Sequence, residues 1–312
     1  MITVLGANAG LDRTYEVPGL RLGGYHHPRR VDVAAGGAKG VNVARLLRAL
    51  GHEVQVTGFA GGLVGQEMAR RLASEGIVAA FVPIAGDSRL CLNLVDPETG
   101  RQTQIDEVGP TVTSRETRAL VERWQELLAG SRLAIISGSP PPGTRPAVYR
   151  RLVALARKSG VPVFVDARDG YLSAAMSAEP DLVRVNREEF GHLVGARLRS
   201  WQAIARRARE LVVSGIGAVV VSWGARGALG MTADGAWLAR PPAVRAVSAV
   251  GSGDAMLATL AHGALGALAW PERLRLAVAA GAANAEQLGP CRIGPQHIRT
   301  FLDRVECEPL GL

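Results

Sequence analysis

The plainest chemical signal in the chain is Gly251-Ser252-Gly253-Asp254, which follows the apolar run Val244–Val250 and precedes the helix-like run from Ala255 to Leu268. A strand, a Gly-rich turn and a helix start would aim backbone N–H groups and the positive end of a helix dipole at one point, which binds anions. Glycine lets the backbone approach a phosphate closely, and an aspartate at the helix mouth can orient and deprotonate an attacking hydroxyl. Phosphoryl transfer needs mainly positioning and electrostatic stabilisation, so one carboxylate beside an anion hole suffices. The same four residues also meet the simpler demand of a helix N-cap after a tight turn.

Two further constellations have the same character. Gly36-Gly37-Ala38-Lys39-Gly40-Val41-Asn42 is a second Gly-rich loop opening a helix. Lys39 offers a point charge for a phosphate, and the Asn42 amide offers donors and acceptors for sugar hydroxyls. It is not a Walker A loop, because no Ser or Thr follows the lysine and the glycine spacing differs. Asn186-Arg187-Glu188-Glu189 follows the strand-like Leu182–Val185. Asn186 and Glu189 fall on one side of a first helical turn and could hold Mg²⁺, directly or through water. Acidic residues there also serve as ordinary caps.

Short β-branched runs alternate with segments of helical period and supply the scaffold. Ile2–Leu5, Val54–Thr57, Leu133–Ile136, Val161–Val165 and Ala218–Ser222 are expected strands. Val43, Leu46, Leu47 and Leu50 recur at helical spacing before Gly51, and Ile204, Ala208, Leu211 and Val212 do so before Gly215. This alternation predicts an α/β fold with a mostly parallel sheet and helices on both faces. Thr14 to Ala35 and Arg89 to Glu107 break the rhythm with strand-like stretches and no helix. They are expected to form a small β-rich lid, unless they are plain surface hairpins. Arg89, Cys91 and Asn93 would share one strand face.

Composition narrows the class. The chain has 312 residues, 47% hydrophobic and 21% charged, as expected of one continuous globular domain. The N-terminus lacks the basic and apolar regions of a secretory signal, and no apolar run is long enough to span a membrane. Cys91, Cys291 and Cys307 are too scattered for a disulfide framework or a zinc site, so a reducing cytoplasm is the simplest setting. The formal charge of +8 raises the question of a nucleic-acid partner. The basic residues form no tail or aromatic-interleaved run, and attraction of an anionic metabolite accounts for them as well. Lys39 and Lys158 are the only lysines among 36 basic residues, so a lysine inside a Gly-rich segment suggests a need for a compact ammonium.

Taken in order along the chain, these segments resemble the ribokinase-like, PfkB-type carbohydrate kinases, in the branch of 1-phosphofructokinases and tagatose-6-phosphate kinases. The resemblance rests on Asn8 to Thr14, Gly36 to Arg45, Ser88-Arg89, Ser137 to Gly143, Asn186 to Glu189, Val221 to Gly227 and Val250 to Asp254. It implies a three-layer core with a β-sheet lid that mediates dimerisation. It also implies ATP and Mg²⁺, with Asp254 as base beside the Gly251 and Gly253 hole. ATP would lie along Asn186, Ser222, Gly224, Gly227, Gly251, Ser252, Gly253 and Asn284, with Glu189 toward the metal. A sugar phosphate would sit under the lid near Asp12, Gly37, Lys39, Asn42, Arg89 and Ser139, with Lys39 and Arg89 on its phosphate.

The chain departs from the family pattern in the acceptor half. Asn-Pro-Ala-Leu-Asp is here Asn8-Ala9-Gly10-Leu11-Asp12, and Gly-Gly-Lys-Gly is Gly37-Ala38-Lys39-Gly40 or else carries one inserted residue. The lid strand reads Ser88-Arg89-Leu90-Cys91-Leu92-Asn93, without the usual Asn and Lys, and Lys-Pro-Asn is Arg184-Val185-Asn186. The expectation is ATP-dependent phosphorylation of a phosphorylated ketohexose, with no nucleic-acid or membrane partner. A kinase of an unphosphorylated sugar or nucleoside is the nearest alternative, and a non-catalytic sugar-phosphate or nucleic-acid binder is the alternative of another class.

Overall fold

The computed structural model describes residues 1–311. The chain opens with β1 (Ile2–Leu5), β2 (Gly10–Glu16), β3 (Arg30–Gly36) and α1 (Lys39–Ala49). Next come β4 (Val54–Thr57), β5 (Phe59–Ala60), α2 (Gly62–Ser74), β6 (Val78–Ala79) and β7 (Val82–Pro83). The middle holds β8 (Arg89–Val95), β9 (Gln102–Asp106), α3 (Ser114–Leu128), β10 (Leu133–Ser137), α4 (Ala147–Lys158) and β11 (Val163–Asp166). Then follow α5 (Asp169–Met176), β12 (Leu182–Asn186), α6 (Arg187–Leu193), α7 (Trp201–Val213) and β13 (Ala218–Ser222). A 3₁₀ turn (Gly224–Arg226) leads to β14 (Ala228–Thr232), β15 (Gly235–Arg240), α8 (Ser252–Leu265), α9 (Trp270–Ala285), α10 (Pro295–Leu302) and β16 (Glu306–Pro309).

Ten strands form one sheet in the order β16-β15-β14-β13-β12-β11-β10-β1-β4-β6. From β6 to β13 every pairing is parallel, and β14, β15 and β16 add an antiparallel margin. Alternate side chains feed two cores. Ile2, Val4, Val54, Val56, Leu133 and Ile135 pack under α1, α2, α8, α9 and α10. Ala134, Ile136, Val163, Val165, Val219 and Val221 pack under α3 to α7. Each such Val, Leu or Ile contributes about 1.5–3 kcal/mol by leaving water. The layers are helix, sheet, helix, a ribokinase-like arrangement in which all parallel strands end at one edge.

Most helices are amphipathic, but α8 is not. Ala255, Met256, Leu257, Ala258, Leu260 and Ala261 are all buried, because α8 is packed against both α1 and α9. A helix apolar on every side belongs inside the protein. Its first turn carries Asp254 with it, so that carboxyl is only 4% exposed.

Thr14 to Ala35 and Arg89 to Glu107 contribute to a second sheet, in the order β3-β2-β8-β9. Asp12 is registered with Ala34 and Cys91, and Thr14 with Asp32 and Asn93, so these six residues share one face. Val244–Val250, an expected strand, is not one. Two prolines, Pro241 and Pro242, lead into it, Val247 and Val250 are exposed, and the Val247 and Ser248 N–H groups donate to the Ala285 carbonyl. It therefore crosses the strand ends as a loop fastened to the end of α9.

Candidate active site

The site is assembled where parallel strands end and two helices begin, the usual ligand position in α/β sheets. β11 ends on Asp166, β12 on Asn186 and β13 on Ser222, with Asn186 and Ser222 directly paired. α1 starts at Lys39 and α8 at Ser252. Gly251 caps α8 in the left-handed region at φ 82°, and a Cβ there would strike Pro290. A Cβ on Gly253 would run into the Arg184 guanidinium. Glycine is thus required at 251 by its φ and by close approach, whereas at 253 a side chain would have to displace the Arg184 guanidinium.

Asp254 lies at the mouth of α8. Asn42 Nδ2 donates to its Oδ2 at 2.8 Å. Burial pushes its carboxyl up to about 7, Lys39 pulls it down, Asp166 pushes it up, and the Asn42 hydrogen bond and Arg184 pull it down. A carboxyl tuned to that range can act as a general base near neutrality.

Beside Asp254 runs a charge chain, buried at Asp166 and Arg184 and partly exposed at Lys39. Lys39 Nζ donates to Asp166 Oδ1 at 2.8 Å, and Arg184 Nη1 donates to Asp166 Oδ2 at 2.9 Å. Arg184 Nη2 donates to Ser222 Oγ at 2.7 Å, while its Nε is buried without a partner. Burial pushes Asp166 up, but Lys39 and Arg184 outweigh it and hold this carboxyl below its usual range. Asp166 raises the Lys39 ammonium in return. Sequence reasoning missed Asp166 and undervalued Arg184, met only as a departure from Lys-Pro-Asn. The signals were present: a carboxylate at a strand end, and an arginine inside the apolar strand Leu182-Val183-Arg184-Val185.

The residues expected to hold ATP are distributed around this chain. Gly224 and Gly227 adopt φ 52° and 99° in the turn after β13, and a Cβ on Gly227 would strike the Ala239 carbonyl. Trp223, in the same turn, has the Arg187 and Arg226 guanidinium groups 5.1 and 4.5 Å from its ring centroid. Asn186 caps α6, its Oδ1 accepting from the Glu188 and Glu189 N–H groups, while Glu189 Oε2 accepts from Asn186 N–H. Glu189 Oε1 stands 4.0 Å from Lys39 Nζ. Asn284 is fully committed inside the protein: Nδ2 donates to the Val250 carbonyl and to Ser252 Oγ, and Oδ1 accepts from Cys291 N–H. It clasps the Gly251 turn to the segment after α9. Among the described residues, no group of three or more His, Cys, Asp or Glu side chains converges to hold a metal ion.

The cleft under the small sheet is a cavity of about 150 Å³ lined by Asp12, Glu16, Arg30, Asp32, Arg45 and Arg292 among others. A smaller one beside it is lined by Asp12, Thr14, Cys91, Asn93 and Gln104 facing Val250 and Pro290. Asp12 Oδ1 accepts from Gly37 N–H at 2.8 Å, and burial raises its carboxyl above the ordinary value. Two expected contacts point elsewhere. Lys39 is turned toward Asp166, and the Arg89 guanidinium donates to the carbonyls of Asn8 and Glu107. Ser139 follows β10 and accepts from Arg168 Nε.

The pfkB family carbohydrate kinase model matches residues 2–296. The chain belongs to the pfkB family of carbohydrate kinases. It is therefore an enzyme, a sugar-phosphate kinase. It is 35% identical to a 1-phosphofructokinase of Rhodobacter capsulatus over 99% of this chain and 98% of that protein. It is 30% identical to a 1-phosphofructokinase of Bacillus subtilis, over 93% of this chain and 94% of that protein. Phosphofructokinase-2 of Escherichia coli, solved in complex with potassium, superposes with a TM-score of 0.91 at 28% identity, covering 97% and 98% of the two chains. A possible 1-phosphofructokinase of Thermotoga maritima superposes with a TM-score of 0.91 at 25% identity, covering all of both chains.

Proposed function

We propose that this kinase transfers the γ-phosphoryl group of ATP to a hydroxyl of a phosphorylated ketohexose, fructose 1-phosphate first and tagatose 6-phosphate second. The observation that carries the mechanism is Asp254: a buried carboxyl raised to about 7, at the N-terminus of α8 and hydrogen-bonded by Asn42. The identity with 1-phosphofructokinases over nearly the whole chain supports the acceptor.

The acceptor would lie in the cleft under the lid, formed from about residues 12–35 and 88–108, with its reacting hydroxyl against Asp254. Asp254 takes the proton as the oxygen attacks. The Gly251 and Gly253 N–H groups and the α8 dipole face the charge that develops on the transferred group, while the Ser252 N–H is used by the Ala249 carbonyl. The phosphates of ATP would follow the Ser222–Gly227 turn, and Arg184 and Lys39 supply positive charge between that turn and Asp254. Glu189 Oε1 carries no hydrogen bond among the described residues, which fits one oxygen, direct or through water, for an Mg²⁺ that keeps most of its water and phosphate ligands. Bound there, Mg²⁺ would neutralise charge on the phosphates.

We further propose a cytoplasmic homodimer joined through the lid. Among the described residues no helix is long and apolar enough to cross a membrane. The outer lid surface exposes Val31 and Ile105, and the adjoining loop exposes Leu22 and Tyr25. An ADP-release assay with fructose 1-phosphate, tagatose 6-phosphate, free ketohexoses and nucleosides tests the acceptor. Turnover should be confined to the phosphorylated ketohexoses; a preference for a free sugar or nucleoside refutes it.

A further inference from the structure

The cleft raises a problem for a phosphorylated acceptor: neither cation expected on its phosphate faces it. Lys39 is held by Asp166, and Arg89 by two backbone carbonyls. Asn93 does line the cleft, but as a neutral amide. The larger cavity has three arginines in its wall. Arg45 is already spent, with Nε and Nη2 on the Glu75 carboxylate and Nη2 also on the Ala35 carbonyl. Arg30 is exposed at the cleft's outer end, in register with Glu16.

Arg292 is differently placed. It follows a turn in which Gly289 and Cys291 both have positive φ, 88° and 54°. Asn284 grips the Cys291 N–H, and Pro290 packs against Gly251. The guanidinium is thus projected from the rigid segment that also shapes the anion hole. Its Nη2 lies 2.5 Å from Asp32 Oδ2, on the cleft face of β3. Both side chains are more than a third exposed, so the pair is solvated and weak, and an incoming anion can compete for it. The cleft wall is tied to the base: Pro290 lines both cavities and packs against Gly251, and Asn42 donates to Asp254 while accepting from Arg45.

We propose that Arg292 is the specificity-determining cation for the phosphate already present on the acceptor, with Asp32 as its resident competitor. This rests on the proposed reading of the acceptor as a ketohexose phosphate. Arg292 bridges lid and core through Asp32. An acceptor phosphate displaces the single carboxylate by offering a charge near −2 and a fork-matching set of oxygens. A sugar without that phosphate gains nothing from the exchange. The lost lysine at position 93 is thus compensated from the opposite wall.

The competition predicts opposite effects from two neutral substitutions. Dissociation constants for fructose 1-phosphate, tagatose 6-phosphate and free fructose would be measured by calorimetry on wild type, Arg292→Gln, Asp32→Asn and Arg30→Gln. Arg292→Gln should weaken the phosphorylated ligands roughly ten- to hundred-fold, the range for a charge-assisted contact. Asp32→Asn should tighten them about three- to ten-fold. Free fructose and ATP should bind all four proteins alike. Circular dichroism and thermal melts confirm that each variant is folded. If wild type binds the sugar phosphates but Arg292→Gln and Asp32→Asn match it, or only Arg30→Gln weakens them, the assignment of Arg292 is wrong. If wild type binds none of the sugar phosphates, the acceptor reading fails and this inference with it.

Discussion

Asp254→Asn should cost activity and gain stability, with a pH dependence that identifies the cause. The carboxyl is raised from 3.8 to about 7, chiefly by burial. Ionising it in the folded protein therefore costs on the order of 4 kcal/mol relative to the unfolded chain. The sign follows from the raised value. Between pH 4 and 7 the folded state holds a proton that the unfolded state has lost, so wild-type stability falls as pH rises and levels off above 7. An asparagine avoids that cost and can still accept from Asn42. Its new amide N–H groups lack an acceptor nearby, which returns about 1–3 kcal/mol. The net gain above pH 7 is then about 1–3 kcal/mol, or a few degrees in Tm. Turnover should fall roughly 10²–10⁴-fold, the usual worth of a general base. Thermal melts of both proteins from pH 4 to 9 check this. The difference in Tm should grow from pH 4 to 7 and then hold; a difference independent of pH, or a variant less stable at pH 8, would show that the Asp254 carboxyl is not raised by burial.

Further outcomes follow from neighbouring groups. Lys39→Met removes the positive charge that most lowers Asp254, so the acid limb of kcat/KM, expected near pH 7 in wild type, should move to higher pH. A pH–rate profile that keeps its limb would show that another group is titrating. Asn93→Lys places an ammonium on the cleft face beside Thr14 and should tighten a sugar monophosphate several-fold while leaving a free sugar unchanged; titration with both decides. Ile105→Glu, on the outer lid face, should turn a dimer into a monomer by light scattering. A fully active wild-type monomer at high concentration would remove the dimer.

Much of this arrangement was legible because local chemistry and tertiary position agree. Ile2–Leu5, Val54–Thr57 and Ala218–Ser222 are strands to the residue, since buried parallel strands are continuous β-branched runs bounded by polar turns. Gly251 to Asp254 signalled a helix mouth because only glycine fits at 251, with its positive φ beside Pro290. Val244–Val250 misled for a physical reason: Val247 and Val250 are exposed, and the Val247 and Ser248 N–H groups are bound by the end of a helix rather than by a strand. In the Lys39–Asp166–Arg184–Ser222 chain the first bonded pair is already 127 positions apart, so their partnership has no local signature. Arg89 shows the opposite limit. Period-two alternation gives the face a residue starts from, but a long side chain can turn back to backbone carbonyls, as this one does on Asn8 and Glu107. Arg292 was invisible because its meaning depends on the lid carboxylate it meets across the cleft.

In the proposed reaction a base at Asp254 directs the ATP γ-phosphoryl group onto a ketohexose that already carries a phosphate. Its most direct test is a phosphorus NMR time course of the purified protein with MgATP and fructose 1-phosphate. A ketohexose bisphosphate should appear mole for mole with ADP, and should be lost in Asp254→Asn. ADP accompanied by inorganic phosphate without a bisphosphate, or equal bisphosphate formation by Asp254→Asn, would contradict it.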